Sequence, residues 1–316
     1  MLESLPIYSS QQIVERRPQR NKLDPRRPYS LFVEKEQNSA GEIIDVATLF
    51  LTNRECPFRC LMCDLWKHTL TDSVAPGDIP EQIRWGLEQL PSAREIKLYN
   101  SGNFFDTKAI LPEDYSQIAD LVRHFETVIV ENHPNLCNQS CVRFRDMIAP
   151  AKLEIAMGLE TCHSEVLKSL NKLMTLSDFE DAAKFLHQAD IRTRAFLLLK
   201  PPFMEESEAI EWTLKSLNYA FDNHVNCCAV IPTRAGNGIM DDLAAREEFF
   251  PPRGTSLEYV LEQGLQLKRG RVFVDLWDVD RFFPCAACSQ QRLDRLQSMN
   301  LQQTVLSPIS CPGCTA

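Results

Sequence analysis

Short apolar runs separated by segments with helical spacing recur along the chain from about residue 44 onward. The first run, "IIDVATLFL" at 43 to 51, is apolar nearly throughout, as expected for a strand covered on both faces. "DIPEQIRWGLEQL" follows, with Asp78 placed to cap a helix, Glu81 three residues on, and Ile83, Leu87 and Leu90 on one face. "EIKLYN" at 95 to 100 reads as a strand. "PEDYSQIADLVRHF" reads as a helix turning Tyr115, Ile118, Leu121, Val122 and Phe125 inward, and "TVIVE" at 127 to 131 as the next strand. A short helical stretch from Arg143 to Ile148 leads to the strand "LEIAMGLE" at 153 to 160, then to the helix "SDFEDAAKFLHQAD" with a Ser177/Glu180 capping box. The strand "IRTRAFLLLK", the helix "SEAIEWTLKSLNYAF" and the strand "VNCCAVI" complete six alternations. The helix "SLEYVLEQGLQL" and a seventh candidate strand, "RVFVDLW", close the series.

Alternation of this kind predicts an α/β fold with parallel strands and right-handed crossovers. Six or seven units suggest a full or partial β/α barrel rather than an open doubly wound sheet. In both, ligands sit beyond the carboxyl ends of the strands. That rule selects Asn100, Ser101, Glu131, Asn132, Glu160, Lys200, Thr233 and Arg234. From Phe282 to the end the alternation stops. The chain therefore divides into an N-terminal extension (1–43), a barrel (44–281) and a small C-terminal cysteine-rich module (282–316).

Composition adds bounds. The 316 residues are 44% hydrophobic and 24% charged, as in globular proteins. No signal peptide and no span of eighteen apolar residues is evident, which predicts a cytoplasmic protein with no membrane partner. The net charge of −9 argues against a surface that grips nucleic acid everywhere. One stretch runs the other way: "RRPQRNKLDPRR" sets Arg16, Arg17, Arg20, Lys22, Arg26 and Arg27 against Asp24 alone. It is either a solvated arm or an arm that contacts phosphates.

Twelve cysteines without an export signal imply a reducing compartment, where grouped thiols bind metals or do redox chemistry. Cys137, Cys141, Cys162, Cys227 and Cys228 are scattered, and are expected mostly as small core residues. Cys285, Cys288, Cys311 and Cys314 form two CxxC pairs separated by twenty-two residues, which suits a four-cysteine zinc ribbon or an auxiliary iron–sulfur cluster. Cys56, Cys60 and Cys63, in "ECPFRCLMCDLW", follow C-x3-C-x2-C in the loop after the first predicted strand. Three thiolates can hold a four-iron, four-sulfur cluster and leave one iron open, which a catalytic site needs and a closed structural site does not. The alternative is a zinc site completed by His68.

Spacing and position resemble the radical S-adenosylmethionine superfamily. The resemblance implies a partial (β/α)6-type TIM barrel and a 4Fe-4S cluster on Cys56, Cys60 and Cys63. There, the open iron chelates S-adenosylmethionine, and one electron yields a 5'-deoxyadenosyl radical that takes a hydrogen from substrate. It also implies Met62 against the adenine. Ser101 and Gly102 stand in the turn where the superfamily often carries a glycine-rich sequence and an acidic residue, with no glutamate adjacent here.

"YNSGNFFD", "GLET" at 158 to 161 with "LNK" at 170 to 172, "LLLKPPFMEESEAI" and "FFPPRG" are similar to the archaeosine-biosynthesis radical lyase group, related to the Elongator catalytic subunit. That likeness implies a lyase or transferase acting in tRNA base modification, on a lysine-bearing 7-deazaguanine. By the same analogy Glu160 contacts S-adenosylmethionine, and Lys200 with Glu205 are the catalytic candidates that shape the substrate end. Expected partners are an electron donor of flavodoxin or ferredoxin type, tRNA, and an RNA-binding protein that offsets the acidic charge. Two other readings stand beside this one: the same chemistry on a small metabolite or peptide, and a non-catalytic zinc-ribbon interaction protein.

Overall fold

The structure, a computed structural model, describes residues 5 to 314. One curled sheet holds eight strands in chain order. They are β1 (Ser30–Gln37), β2 (Ile43–Phe50), β3 (Glu95–Tyr99), β4 (Thr127–Glu131), β5 (Lys152–Glu160), β6 (Arg192–Leu199), β7 (Cys227–Pro232) and β8 (Arg271–Val274). β1 pairs antiparallel with β2, and every pair from β2 to β8 is parallel. The helices are α1 (Ser10–Glu15), α2 (Asp78–Gln89), α3 (Tyr115–Val122), α4 (Gln139–Met147), α5 (Ser164–Ser169), α6 (Leu176–Gln188), α7 (Glu206–Asp222), α8 (Ile239–Ala245), α9 (Gly254–Gln266) and α10 (Ser289–Gln302). The sheet is thus an open barrel, with α2 to α9 distributed along its crossovers and all seven predicted strands present.

The parallel strands are apolar because both faces are covered: Val46, Leu49, Leu98, Val130, Ile155, Leu197 and Val230 are all fully buried. Two helix starts differ from expectation. Gly77, not Asp78, is the N-cap of α2; its φ of +87° is left-handed and costs glycine little. Asp78 becomes the first helical residue and accepts from the Ala75 N–H at 2.9 Å. The N-cap of α6 lies two residues before the predicted one, so its capping box is Thr175 with Asp178 rather than Ser177 with Glu180. Ile79 and Ile83 supply the fully buried face of α2, while Leu87 and Leu90 are only partly covered.

Strand β1 escapes the periodicity reading. Its sequence, "SLFVEKEQ", is too charged for a covered strand, yet Glu36 is buried. Inside the barrel Glu36 meets Lys97 of β3 at 2.5 Å and Arg194 of β6 at 2.6 Å. Arg194 also binds Glu154 of β5 at 2.8 Å, and Arg271 of β8 reaches Glu154 at 3.0 Å. Arg271 further donates to the Gln37 carbonyl at 2.9 Å, so side chains bridge the gap between β8 and β1 that no strand pairing closes. Burial opposes the Glu36 charge, but the Arg194 and Lys97 cations outweigh it and hold the carboxyl far below its usual range.

The C-terminal segment contains the fourteen-residue helix α10, which lies against β1 and β8. No helix among the described residues is long and apolar enough to cross a membrane.

Candidate functional site

Cys56, Cys60 and Cys63 lie on the loop that leaves β2, at the end of the barrel where the parallel strands terminate. The loop has little regular structure of its own, so its carbonyls depend on distant side chains. Asn171 Nδ2 donates to the Arg59 carbonyl at 2.7 Å, and Asn237 Nδ2 to those of Leu61 and Cys63 at 2.8 and 3.1 Å. Leu61 N–H donates to the Leu170 carbonyl at 2.8 Å. Phe58 stacks on His133, beyond the end of β4, with ring centres 3.7 Å apart.

The basic N-terminal stretch fastens the same loop. Arg17 and Arg20 reach the two oxygens of Glu55 at 2.6 and 2.5 Å, Arg59 approaches it at 3.2 Å, and the Arg17 guanidinium covers the Trp66 ring. Burial would raise the Glu55 carboxyl, but the bonds from Arg20 and Arg17 prevail and hold it below the ordinary value. Arg16 pairs with Asp242 and Arg26 with Asp78. The stretch is therefore neither a free solvated arm nor a row of uncommitted phosphate ligands: five of its six cations already have carboxylate partners within this chain, Arg27 with Glu81 among them.

Around the thiols the chemistry suits thiolate ligands that need an outside cation. Asn103 Nδ2 donates to Cys56 Sγ at 3.1 Å. Gly102 brings bare backbone beside that cysteine; a Cβ there would lie 3.5 Å from the Cys56 Cβ. Burial pushes the Cys60 thiol up to about 12 and raises Cys56 and Cys63 as well, with the Lys172 charge opposing the shift at Cys56 and Cys60. Ionising all three requires positive charge beyond this single lysine, as an iron cluster provides. Among the described residues these thiols do not draw within 4.8 Å of one another as a set, whereas Cys285, Cys288, Cys311 and Cys314 do, an arrangement that fits metal binding. His68, the alternative fourth ligand, stacks on Tyr29 at 4.7 Å, and its Nδ1 meets Asn21 Nδ2 at 3.2 Å.

Three of the strand-end candidates share an unusual backbone. Ser101, Glu160 and Lys200 have φ of 51°, 65° and 57°, a left-handed conformation that side chains adopt at a cost of order 1–3 kcal/mol and that clusters at functional sites. Ser101 Oγ shares a 2.7 Å hydrogen bond with Tyr29 Oη. The turn from Asn100 to Gly102 lacks an adjacent acid but receives one from the neighbouring strand: Glu131 Oε1 accepts from the Asn100 and Gly102 N–H groups at 2.6 and 3.2 Å. Burial raises the Glu131 carboxyl to about 7 against those bonds.

Glu160 forms a buried ion pair with Lys172 at 2.5 Å. Gly158 makes room for it; a methyl group there would strike Glu160 Oε1 and Lys172 Nζ. "GLET" and "LNK" thus meet in space. Lys200 pairs with Glu206 at 2.7 Å rather than with Glu205, which is exposed at the N-cap of α7. Glu206 also accepts from Arg253 N–H at 2.9 Å and Ser256 Oγ at 2.6 Å, joining "LLLKPPFMEE" to "FFPPRG". Met62 is partly buried against a second, smaller apolar cluster separate from the main core, whose buried members include Ile13, Leu61, Val166 and Met204. Thr233 bonds back to the Leu199 carbonyl at 2.9 Å, Arg234 pairs with Asp275 at 2.8 Å, and Asn132 accepts from Phe105 N–H at 3.2 Å. Roles for Glu55, Asn103, His133, Asn171, Lys172 and Asn237 were missed by sequence reasoning. Asn171 and Lys172 fall in the string "LNK", Asn103 in "YNSGNFFD" and Glu55 at the head of the cysteine motif, whereas nothing in the sequence singled out His133 or Asn237.

No protein-family model matches the chain. It is 29% identical over 202 residues to archaeosine synthase subunit beta of Thermococcus kodakarensis, covering 61% of this chain and 62% of that protein. Against archaeosine synthase subunit beta of Methanosarcina acetivorans it is 26% identical over 270 residues, 77% of this chain and 74% of the relative. Its fold is shared with a queuine lyase from Clostridium spiroforme whose structure holds SAM and queuine, with a TM-score of 0.54, 16% identity, and coverage of 79% and 95%.

Proposed function

From the chain's likeness to the radical S-adenosylmethionine superfamily in cysteine motif, fold and relatives, we propose an enzyme of that chemistry acting in tRNA base modification, as an archaeosine-type 7-deazaguanine lyase. The observation that carries the reading is the three-cysteine loop, pinned at the mouth of the barrel beside a buried Glu160–Lys172 pair. When bound, a 4Fe-4S cluster and S-adenosylmethionine supply a radical that removes a hydrogen from substrate. Cys56, Cys60 and Cys63 would hold the cluster. Asn103 steadies the first thiolate, and Asn171 and Asn237 fix the loop that presents all three.

Met62 supplies apolar surface for the adenine, and the Ser101–Gly102 turn, braced by Glu131, offers backbone groups to the methionine end. Glu160 and Lys172 place paired charges beside these. Lys200, locked to Glu206, and the exposed Glu205 would shape the substrate end. Both relatives are a subunit beta of archaeosine synthase, which supports tRNA as substrate and a second subunit as partner. A one-electron donor of flavodoxin or ferredoxin type completes the requirement.

The test begins with anaerobic reconstitution, dithionite reduction and assay of 5'-deoxyadenosine, followed by mass spectrometry of nucleosides from tRNA incubated with the chain and its partner. Cys60→Ala should abolish both cluster iron and 5'-deoxyadenosine. If the variant retained both, the reading would fail. Unchanged tRNA nucleosides with intact S-adenosylmethionine cleavage would instead shift the substrate to a small metabolite or peptide.

A further inference from the structure

We propose that Cys285, Cys288, Cys311 and Cys314 bind one zinc ion, and that this ion staples the helix sealing the free edge of the barrel. The spacing of the thiols selects the metal. Cys285 and Cys311 Sγ are 3.8 Å apart and Cys288 and Cys314 Sγ 3.5 Å, with all four sulfurs within 4.8 Å of one another. A tetrahedron with zinc–sulfur bonds of about 2.3 Å has sulfur–sulfur edges of roughly 3.8 Å. A four-iron cube carries each cysteine on a separate corner iron and spreads the sulfurs much farther apart. A single ion fits and a cube does not. Between single ions, zinc outcompetes iron(II) at such a site by the Irving–Williams order.

The surroundings suit the dianion that four thiolates make around zinc(II). Arg292 Nε donates to Cys288 Sγ at 3.3 Å, and the same guanidinium binds Glu258 of α9 and the Ile309 carbonyl. Arg295, one turn on, joins Glu258 and Glu262 to the carbonyls of Leu306 and Ser307. Both arginines therefore fold the returning tail along α10, which brings Cys311 and Cys314 to Cys285 and Cys288 at the start of that helix.

What the helix does at its other end gives the site its consequence. β8 is the last strand, and its outer backbone groups have no strand partner. Asn300 accepts from Val274 N–H at 3.0 Å and donates to the Val274 carbonyl at 2.8 Å. Gln303, just beyond α10, does the same for Val272 at 2.8 and 2.9 Å. Two side-chain amides thus replace a ninth strand on an edge that would otherwise be open to pairing with another chain. The zinc fixes the tail and helix that deliver them.

The experiment uses the full chain, purified and reconstituted anaerobically, with iron and zinc counted and amide exchange followed by mass spectrometry on peptides covering β8. One zinc and four irons per chain are expected. Cys311→Ser/Cys314→Ser should lose the zinc, keep the irons, and exchange the Val272 and Val274 amides at least roughly tenfold faster. About eight irons per wild-type chain with no zinc, or wild-type chain isolated with no zinc and with a Cys285–Cys311 disulfide already formed, overturns the metal assignment. Zinc loss with unchanged exchange overturns the staple. Should the double variant fail to fold, zinc is withdrawn from the wild-type chain by a chelator and the same peptides are measured. Growth on cobalt(II) must then give the visible absorption of a tetrahedral thiolate site, and its absence counts against the proposal. Failure of the radical reading would show instead as loss of the four irons, a separate signal.

Discussion

At the scale of single residues, buried titratable groups crowd the end of the barrel where the cysteine loop sits. His133 is the clearest. It is stacked on Phe58 and joined to the Lys172 carbonyl at 3.1 Å. Burial, assisted by the Lys172 charge, lowers its pKa from 6.5 to about 3. The folded protein therefore keeps the ring neutral where the unfolded chain takes up a proton. Stability is unaffected by this group above the unfolded value and is lost as pH falls from about 6.5 toward 3, with a slope approaching 1.4 kcal/mol per unit. His133→Gln should flatten that part of the curve; urea midpoints between pH 7.5 and 4.5 that run parallel for wild type and variant would refute it. Gly158 shows a complementary dependence at the same scale. Its missing Cβ is what admits the Glu160–Lys172 pair, a steric requirement that the string "GLET" carries without revealing its partner.

At the scale of elements, the N-terminal segment acts as a strap. It runs from α1, whose Ile13 is buried in the second apolar cluster, past Glu55 and Trp66 to Asp78 at the head of α2. The Glu55 carboxylate, with its side chain 10% exposed, is the knot. Glu55→Gln removes the charge that Arg17 and Arg20 share. In the cluster-free chain it should cost about 2 kcal/mol, between the values usual for exposed and for buried pairs. Urea unfolding measures this. A double-mutant cycle with Arg17→Met should return coupling of roughly 1–3 kcal/mol, and additivity of the two changes would sink the idea. The strap also explains why a basic run was ambiguous by composition: its counter-ions come from residues 55, 78, 81 and 242, far from it in sequence.

At the scale of the molecule, the net charge of −9 opposes a phosphate backbone, and within the basic segment only Lys22 lacks a carboxylate partner among the described residues. A chain of this kind binding tRNA alone should do so weakly, with a shallow dependence of log affinity on log salt, equivalent to roughly one or two phosphate contacts. Addition of its partner subunit should steepen the slope. Fluorescence anisotropy with labelled tRNA over a range of potassium chloride concentrations tests this, and a steep slope for the isolated chain would contradict it.

The linear sequence was enough for the order of seven parallel strands and for the cysteine motif, because hydrophobic period and ligand spacing are local properties of neighbouring residues. It was also enough to select strand-end positions such as Ser101, Glu160 and Lys200, since a parallel βα series leaves its ligand face at one end. Tertiary structure alone decided β1, whose buried Glu36 is tolerable only because Lys97 and Arg194 converge on it from β3 and β6. It likewise decided that Lys200 answers to Glu206 rather than Glu205, that the basic segment is tied down, and that Asn300 and Gln303 finish the edge of β8. Each of these depends on charge or hydrogen-bond partners brought together across the fold, and such pairing leaves no period in the chain.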